Sequence, residues 1–183
     1  MPLGGPWSFA SRGTQPARAT LYLALFNAIR PMPHAARDAA MAALRAWARV
    51  PDDARHSHRT LTTPELRELA GRPGMTIGAH TVSHPSLALL DAPAQLREIA
   101  ESRHALESAL GRAVRALAYP FGMREDVSAT TTRAARAAGA DFAMANEPGA
   151  AWRWSSRWRV PRVLVRDWSA DEFRRHLAAW WET

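Results

Sequence analysis

The sequence predicts an α/β fold, and three observations carry that expectation. From Leu61 onward, short apolar runs alternate with segments whose apolar residues recur at helical spacing. The helical segments open on capping residues and close on glycine, at Gly111 and Gly139. At 183 residues, 47% hydrophobic and with no cysteine, the chain builds a core by packing rather than by disulfides. Strand–helix alternation implies parallel strands joined by right-handed crossovers, as in an α/β barrel or an open doubly wound sheet.

Residues 1–19, rich in Pro, Gly and Ser, read as an irregular lead-in. Leu21, Tyr22, Leu25, Phe26 and Ile29 then recur at helical spacing up to Pro31 and Pro33. Met41, Leu44 and Trp47 mark a second helix over residues 34–49, so residues 20–60 are expected to be a helical hairpin and a polar loop, 51–59. The α/β part begins at residue 61. Thr62 with Glu65 fits a capping box and Pro64 suits a first turn, predicting a short helix that ends near residues 71–74. Residues 75–79 read as a buried strand, and Asp91 or Ala92 opens a longer helix through Leu96, Ile99, Leu106 and Leu110. Strands over 114–119 and 140–145 flank a helix over 126–138, and a further strand covers 160–165. Ser169 and Glu172 cap a last helix bearing Phe173, Leu177 and Trp180.

Composition narrows the function. All 24 basic residues are arginine and the net charge is +7. The arginines are scattered among abundant alanine, with interleaved aromatics only over residues 152–159, which favours a solvated basic surface over a specific nucleic-acid site. Trp152, Trp154 and Trp158 there either stack on sugar rings or pack a loop, with packing favoured. No apolar run approaches the 18 residues of a membrane span, and the start lacks the pattern of a secretory signal, so a cytoplasmic location is expected. Without cysteine, any metal must be held by His, Asp or Glu.

In parallel α/β folds chemistry collects beyond the carboxyl ends of the strands. Two motifs lie there. His80-Thr81-Val82-Ser83-His84 follows the strand 75–79, and two histidines four apart on a helical turn can reach one cation. The alternative is a pair of capping or solvated histidines. Thr81 and Ser83 are placed to orient the imidazoles or satisfy the turn's backbone. Leu117-Ala118-Tyr119-Pro120-Phe121-Gly122 ends the next strand, where Pro and Gly force a sharp exit. Such a bend can aim a backbone N–H at an oxyanion while aromatic rings wall a groove; otherwise it is an ordinary turn with core aromatics.

Taken together, Ile77-Gly78-Ala79-His80-Thr81-Val82-Ser83-His84-Pro85 and Ala118-Tyr119-Pro120-Phe121-Gly122 resemble the polysaccharide deacetylase family, and Arg159-Val160-Pro161-Arg162 agrees with a sub-group of it. The resemblance covers residues 61–183 and, more loosely, the hairpin. It implies a distorted (β/α) barrel in which His80 and His84 ligate a divalent metal, most often zinc. Tyr119, Pro120 and Phe121 would border the sugar and the Phe121 N–H would support the oxyanion; Arg162, from a neighbouring strand end, either supplies a compensating guanidinium as electrostatic support or is a surface or structural arginine. The reaction implied is hydrolysis of a non-peptide carbon–nitrogen bond, that of an N-acetyl group, or sometimes of an O-acetyl ester bond, on an acetylated polysaccharide or oligosaccharide as a metal-activated water attacks.

The chain also departs from the family. The Thr-Phe-Asp-Asp-Gly motif that ends the family's first strand, with its base and third ligand, has no counterpart. The single Asp pair, Asp52-Asp53, falls in the polar loop, and the usual Arg before the Pro-aromatic turn is Ala118. There is no Leu-x-Leu-His-like motif near the end, and His176 reads as a surface residue of the last helix. The expectation is therefore a barrel lacking its first strands, with a helical hairpin inserted, inactive alone and prone to self-association through an open sheet edge. A catalytically silent carbohydrate-binding or scaffold homologue is the second reading, and a basic nucleic-acid-binding protein the third.

Overall fold

A computed structural model describes residues 17–51 and 59–181. The chain divides into two compact units, Met1–Leu61 and Thr62–Thr183. The first contains α1 (Ala17–Ile29) and α2 (His34–Ala48). Helix α1 starts at residue 17, within the stretch expected to be irregular. Tyr22 and Phe26, one turn apart, stack at 6.0 Å. Helix α2 stops at Arg49, which takes a left-handed cap conformation (φ 52°). Asp52 and Asp53, and the rest of the loop up to residue 58, lie outside the described residues.

The second unit is built on three short parallel strands: β1 (Gly78–Ala79), β2 (Ala116–Ala118) and β3 (Phe142–Met144), in that order. Gly78 and Ala79 stand opposite Ala116 and Leu117, which in turn stand opposite Phe142 and Ala143. The crossovers are α4 (Ala92–Leu110) and α5 (Ala129–Ala137), and α3 (Thr63–Gly71) precedes β1. All three helices begin as their sequence dictates. Thr62 and Glu65 form a reciprocal capping box, Asp91 accepts from the Ala94 N–H at 2.7 Å, and Ser128 and Thr131 cap one another. Helix α4 ends at Gly111 (φ 65°), a left-handed position that costs glycine least. The last helix, α6 (Ala170–Trp181), starts at Ser169, whose N–H and hydroxyl both reach Glu172 at 2.8 Å.

Leu87, Ile99, Val114, Leu117, Tyr119 and Val127 make the core, together with the smaller Ala79, Ala135 and Ala143. Three expected elements differ. The strand expected over 75–79 pairs only at Gly78 and Ala79, opposite Ala116 and Leu117 of β2. The strand expected over 160–165 is reduced to a bridge between Met144 and Val160. Pro161 has no N–H to continue the ladder, and pairing ends with the Arg162 N–H on the Glu147 carbonyl at 2.9 Å. Asp126 does not open α5; it closes a 3-10 turn, Arg124–Asp126, and points inward. Among the described residues no helix is long and apolar enough to cross a membrane.

The return from α4 to β2 depends on charge. Glu107 accepts from the Val114 N–H at 2.9 Å and pairs with Arg103 at 2.8 Å, while Arg103 also donates to the carbonyls of Val114 and Ala138. The Val114 N–H, aided by Arg103, holds the Glu107 carboxyl below the usual glutamate range against a smaller opposing effect of desolvation. A depressed carboxylate contributes stability above its unfolded value and loses it as pH falls through the folded one. Glu107→Gln is expected to lower the urea midpoint at neutral pH, and the gap to wild type should narrow as pH falls below the ordinary glutamate range.

Candidate functional site

Parallel pairing sends the ends of β1, β2 and β3 to one edge, so the segments from His80, Tyr119 and Ala145 leave side by side. His80 follows β1 directly and is exposed. Its Nδ1 lies 2.8 Å from the Ala118 carbonyl at the end of β2. A carbonyl can only accept, so Nδ1 carries the proton, and in the neutral ring Nε2 is the atom with the lone pair.

The histidines do not meet on a helical turn, as their spacing suggested. Residues 80–84 form a bend in which Thr81 (φ 68°) and His84 (φ 54°) are both left-handed. A third left-handed residue, Phe121 (φ 57°), lies at the end of the neighbouring strand. Such positions cost side-chain-bearing residues about 1–3 kcal/mol each, most clearly for β-branched threonine. The bend brings the His80 and His84 rings edge to face at 4.8 Å and 76°. Phe121 meets the other histidine, His84, again edge to face, at 4.8 Å and 79°.

Glu98, on α4, holds the bend in place. One oxygen of its half-buried carboxylate accepts from the N–H groups of Val82 and Ser83, both at 2.9 Å, and the other from the Ser83 hydroxyl at 2.6 Å. The Thr81 hydroxyl accepts from the His84 N–H at 3.1 Å. Thr81 and Ser83 thus satisfy the turn, as their position after the strand suggested. One step further, buried Ser86 donates to buried Asp126 at 2.6 Å, and the same carboxylate takes the Met123 N–H at 3.2 Å. That pair ties the segment after β1 to the segment after β2. Sequence reading missed Glu98 and Asp126. Glu98 did carry a signal, since it sits on the helix face shared by Gln95, Ile99 and Ser102, all buried, where an acid needs a partner.

The other expected site residues divide. Tyr119 is 1% exposed and Pro120 is buried too, so their side chains belong to the core and not to a groove wall. The Tyr119 hydroxyl donates to the Trp158 carbonyl at 3.0 Å. Burial pushes this phenol above the ordinary tyrosine range, with Arg159 pulling weakly the other way, so it stays a neutral donor. Arg162 stands at the end of the neighbouring segment, its Nε on the Ala145 carbonyl at 2.7 Å. His176 is exposed on α6, stacked at 4.0 Å on Trp168, away from the three strand ends in sequence. Among the described residues no group of three or more His, Asp or Glu side chains is arranged to hold a metal. Two imidazoles, one with its tautomer fixed by a backbone acceptor, suit zinc as part of a ligand set, and the described residues bring no third imidazole or carboxylate beside them.

A family model described as polysaccharide deacetylase matches residues 39–143. YxkH of Bacillus subtilis strain 168, assigned provisionally by its name to the polysaccharide deacetylases, is 30% identical over 110 residues, which cover 60% of this chain and 38% of that one. Among solved structures, the Streptococcus pyogenes deacetylase PplD in complex with acetate is 24% identical with a TM-score of 0.59, over 66% of this chain and 52% of that one. A polysaccharide deacetylase from Bacillus cereus is 21% identical with a TM-score of 0.57, over 74% and 46%. The chain thus spans about half or less of the length of these relatives. The structural likenesses identify its parallel β/α units with part of a (β/α) barrel.

Two outcomes follow for the scaffold. Glu98→Ala leaves the Val82 and Ser83 amides without their charged acceptor and should cost about 2 kcal/mol, with faster hydrogen exchange at those two amides than in the core. Gly122 is left-handed (φ 69°), and a Cβ there would stand 2.9 Å from the Asn146 nitrogen and 3.1 Å from the Tyr119 carbonyl oxygen. Gly122→Ala should therefore destabilise by about 1–3 kcal/mol, read from the denaturation midpoint.

Proposed function

This chain belongs to the polysaccharide deacetylase family, and from that premise we propose that His80 and His84 hold a divalent cation, most readily zinc, at a site for removing acetyl groups from a glycan. The observation that carries the reading is the meeting of both imidazoles and Phe121 at the carboxyl ends of β1 and β2. The cation would polarise an acyl oxygen and lower the pKa of water. The chain's own residues would do the rest. The Ala118 carbonyl keeps the proton of His80 on Nδ1, so that its Nε2 serves as the donor atom. Glu98 keeps His84 in register through the bend. Phe121 orders the His84 ring, and its main-chain N–H is the candidate partner for an acyl oxygen as it gains charge. Arg162 adds positive charge at the same edge.

Among the described residues no third His, Asp or Glu joins the two histidines, and a second reading is a homologue that binds glycan without hydrolysing it. A two-donor site binds zinc weakly and activates water poorly. The same topology leaves β1 with β2 as its one strand neighbour among the described residues, so its outer edge is the natural surface for pairing with a further strand or a second copy.

Zinc titration and acetate release separate the readings. His80→Ala and His84→Ala should each weaken zinc binding about tenfold or more. The wild-type chain should release acetate from N-acetylglucosamine oligomers slowly and only with added zinc. Zinc affinity unchanged in both variants would sink the site assignment. Glycan binding without any acetate release would establish the silent reading instead.

A further inference from the structure

Residues 145–160, which leave β3, carry three indoles that the fold treats differently. Trp158 packs against the core and its carbonyl receives the Tyr119 hydroxyl. Trp152 and Trp154 turn outward, 41% and 72% exposed, with their rings stacked at 5.8 Å and 12°. A short turn fixes them: the Ser155 N–H donates to the Trp152 carbonyl and the Trp152 N–H to the Ser155 hydroxyl, both at 2.9 Å. Packing, the favoured expectation for all three, holds for Trp158 alone.

The segment begins on the histidine edge of the sheet. The Asn146 N–H donates to the Gly122 carbonyl at 2.7 Å, beside the Phe121 that touches His84. Its charge is one-sided. Residues 149–168 contain five arginines, at 153, 157, 159, 162 and 166, against Asp167 as the one acid. Arg159 is paired with Glu147, just outside that span. The Arg153 guanidinium lies 5.6 Å from the centre of the Trp154 ring.

We propose that Trp152 and Trp154 are a stacking platform for pyranose rings of a neutral, N-acetylated glycan, and that the surrounding arginines disfavour the same glycan once its amines are exposed. The proposal rests on the deacetylase reading and adds a binding surface outside the histidine site to it. A pyranose presents a C–H face that matches an indole face, and a polymer reaching the histidines has further units to anchor. Arg153 brings N–H donors to the hydroxyls bordering the stacked ring. Each deacetylated unit carries a cation below its amine pKa, and exposed arginines repel it to an extent that salt screens. The platform therefore retains substrate and sheds product.

The test is calorimetric binding of N-acetylglucosamine and glucosamine hexamers to the full chain at low salt, slightly acidic. The acetylated hexamer should bind, and Trp154→Ala should weaken it about tenfold. Trp154→Phe should restore most of the affinity, and Trp47→Ala, which removes an exposed indole of the first unit, should leave it unchanged. The glucosamine hexamer should bind several-fold more weakly, with the gap narrowing at about 1 M salt. Equal binding by wild type and Trp154→Ala, no binding of the acetylated hexamer by wild type, or equal or tighter binding of the cationic hexamer at low salt overturns the platform. Acetate release on the same proteins is scored separately. Trp154-dependent binding without release sinks the deacetylase reading alone, and release without Trp154-dependent binding sinks the platform alone.

Discussion

The carboxylate of Glu98 is the interaction on which the candidate site depends. The bend from His80 to His84 contains two left-handed residues, neither of them glycine, and unsupported backbone would relax out of that shape. Three hydrogen bonds to one half-buried carboxylate offset that cost, because bonds to a charged acceptor are worth more than neutral ones. Glu98 comes from α4, the helix that packs on β1, so the same helix that covers the strand also sets the direction in which its last residue leaves. Scaffold and site are thus one structure at this point.

The ties continue across the sheet. His80 is bound to the end of β2 through Ala118, His84 meets Phe121, and Ser86 is bound to Asp126 in the turn after Phe121. Gly122 is bound to Asn146 after β3, and Tyr119 reaches across to Trp158. Strands of two or three residues supply few ladder hydrogen bonds. Their alignment is therefore set as much by these contacts beyond the strand ends as by the ladder itself. Asp126 is the clearest case. A buried carboxylate is costly unless its lone pairs are used, and it uses them on the two segments whose separation matters to the site.

Helix ends were the most legible feature of the sequence, because capping is local chemistry: Thr62 with Glu65, Asp91, Gly111 and Ser169 act where they were expected to. Strand lengths were not legible. An apolar run such as residues 75–79 reveals a tendency to be buried, while its paired length depends on how much neighbour it finds. The motif His80 to His84 was visible with its strand-end position, but its conformation was not, since spacing of four also fits a helix and Glu98 is fourteen residues further on. Tyr119 and Phe121 show the limit most directly. Both are aromatic at a strand end, and only the left-handed turn at Phe121 decides that the first ring enters the core and the second faces the histidines.

For the proposed cation site, the same geometry limits where a third donor can stand. Beside His80, β2 already occupies one flank of β1, and its end supplies the Ala118 carbonyl that fixes the imidazole. A carboxylate arriving on the β3 side would have to cross Phe121 and the turn that Gly122 and Asn146 hold closed. The outer flank of β1 is the approach left by the described residues, and a parallel strand there would end level with His80 because parallel register aligns carboxyl ends. A free carboxylate on a flexible segment could reach the same point only by giving up its conformational freedom, at about 1–2 kcal/mol for each residue fixed. An acid at the end of a paired strand has that cost met by the sheet. For the proposed site, the choice between hydrolysis and binding alone therefore turns on the strand edge next to His80 more than on the histidines themselves.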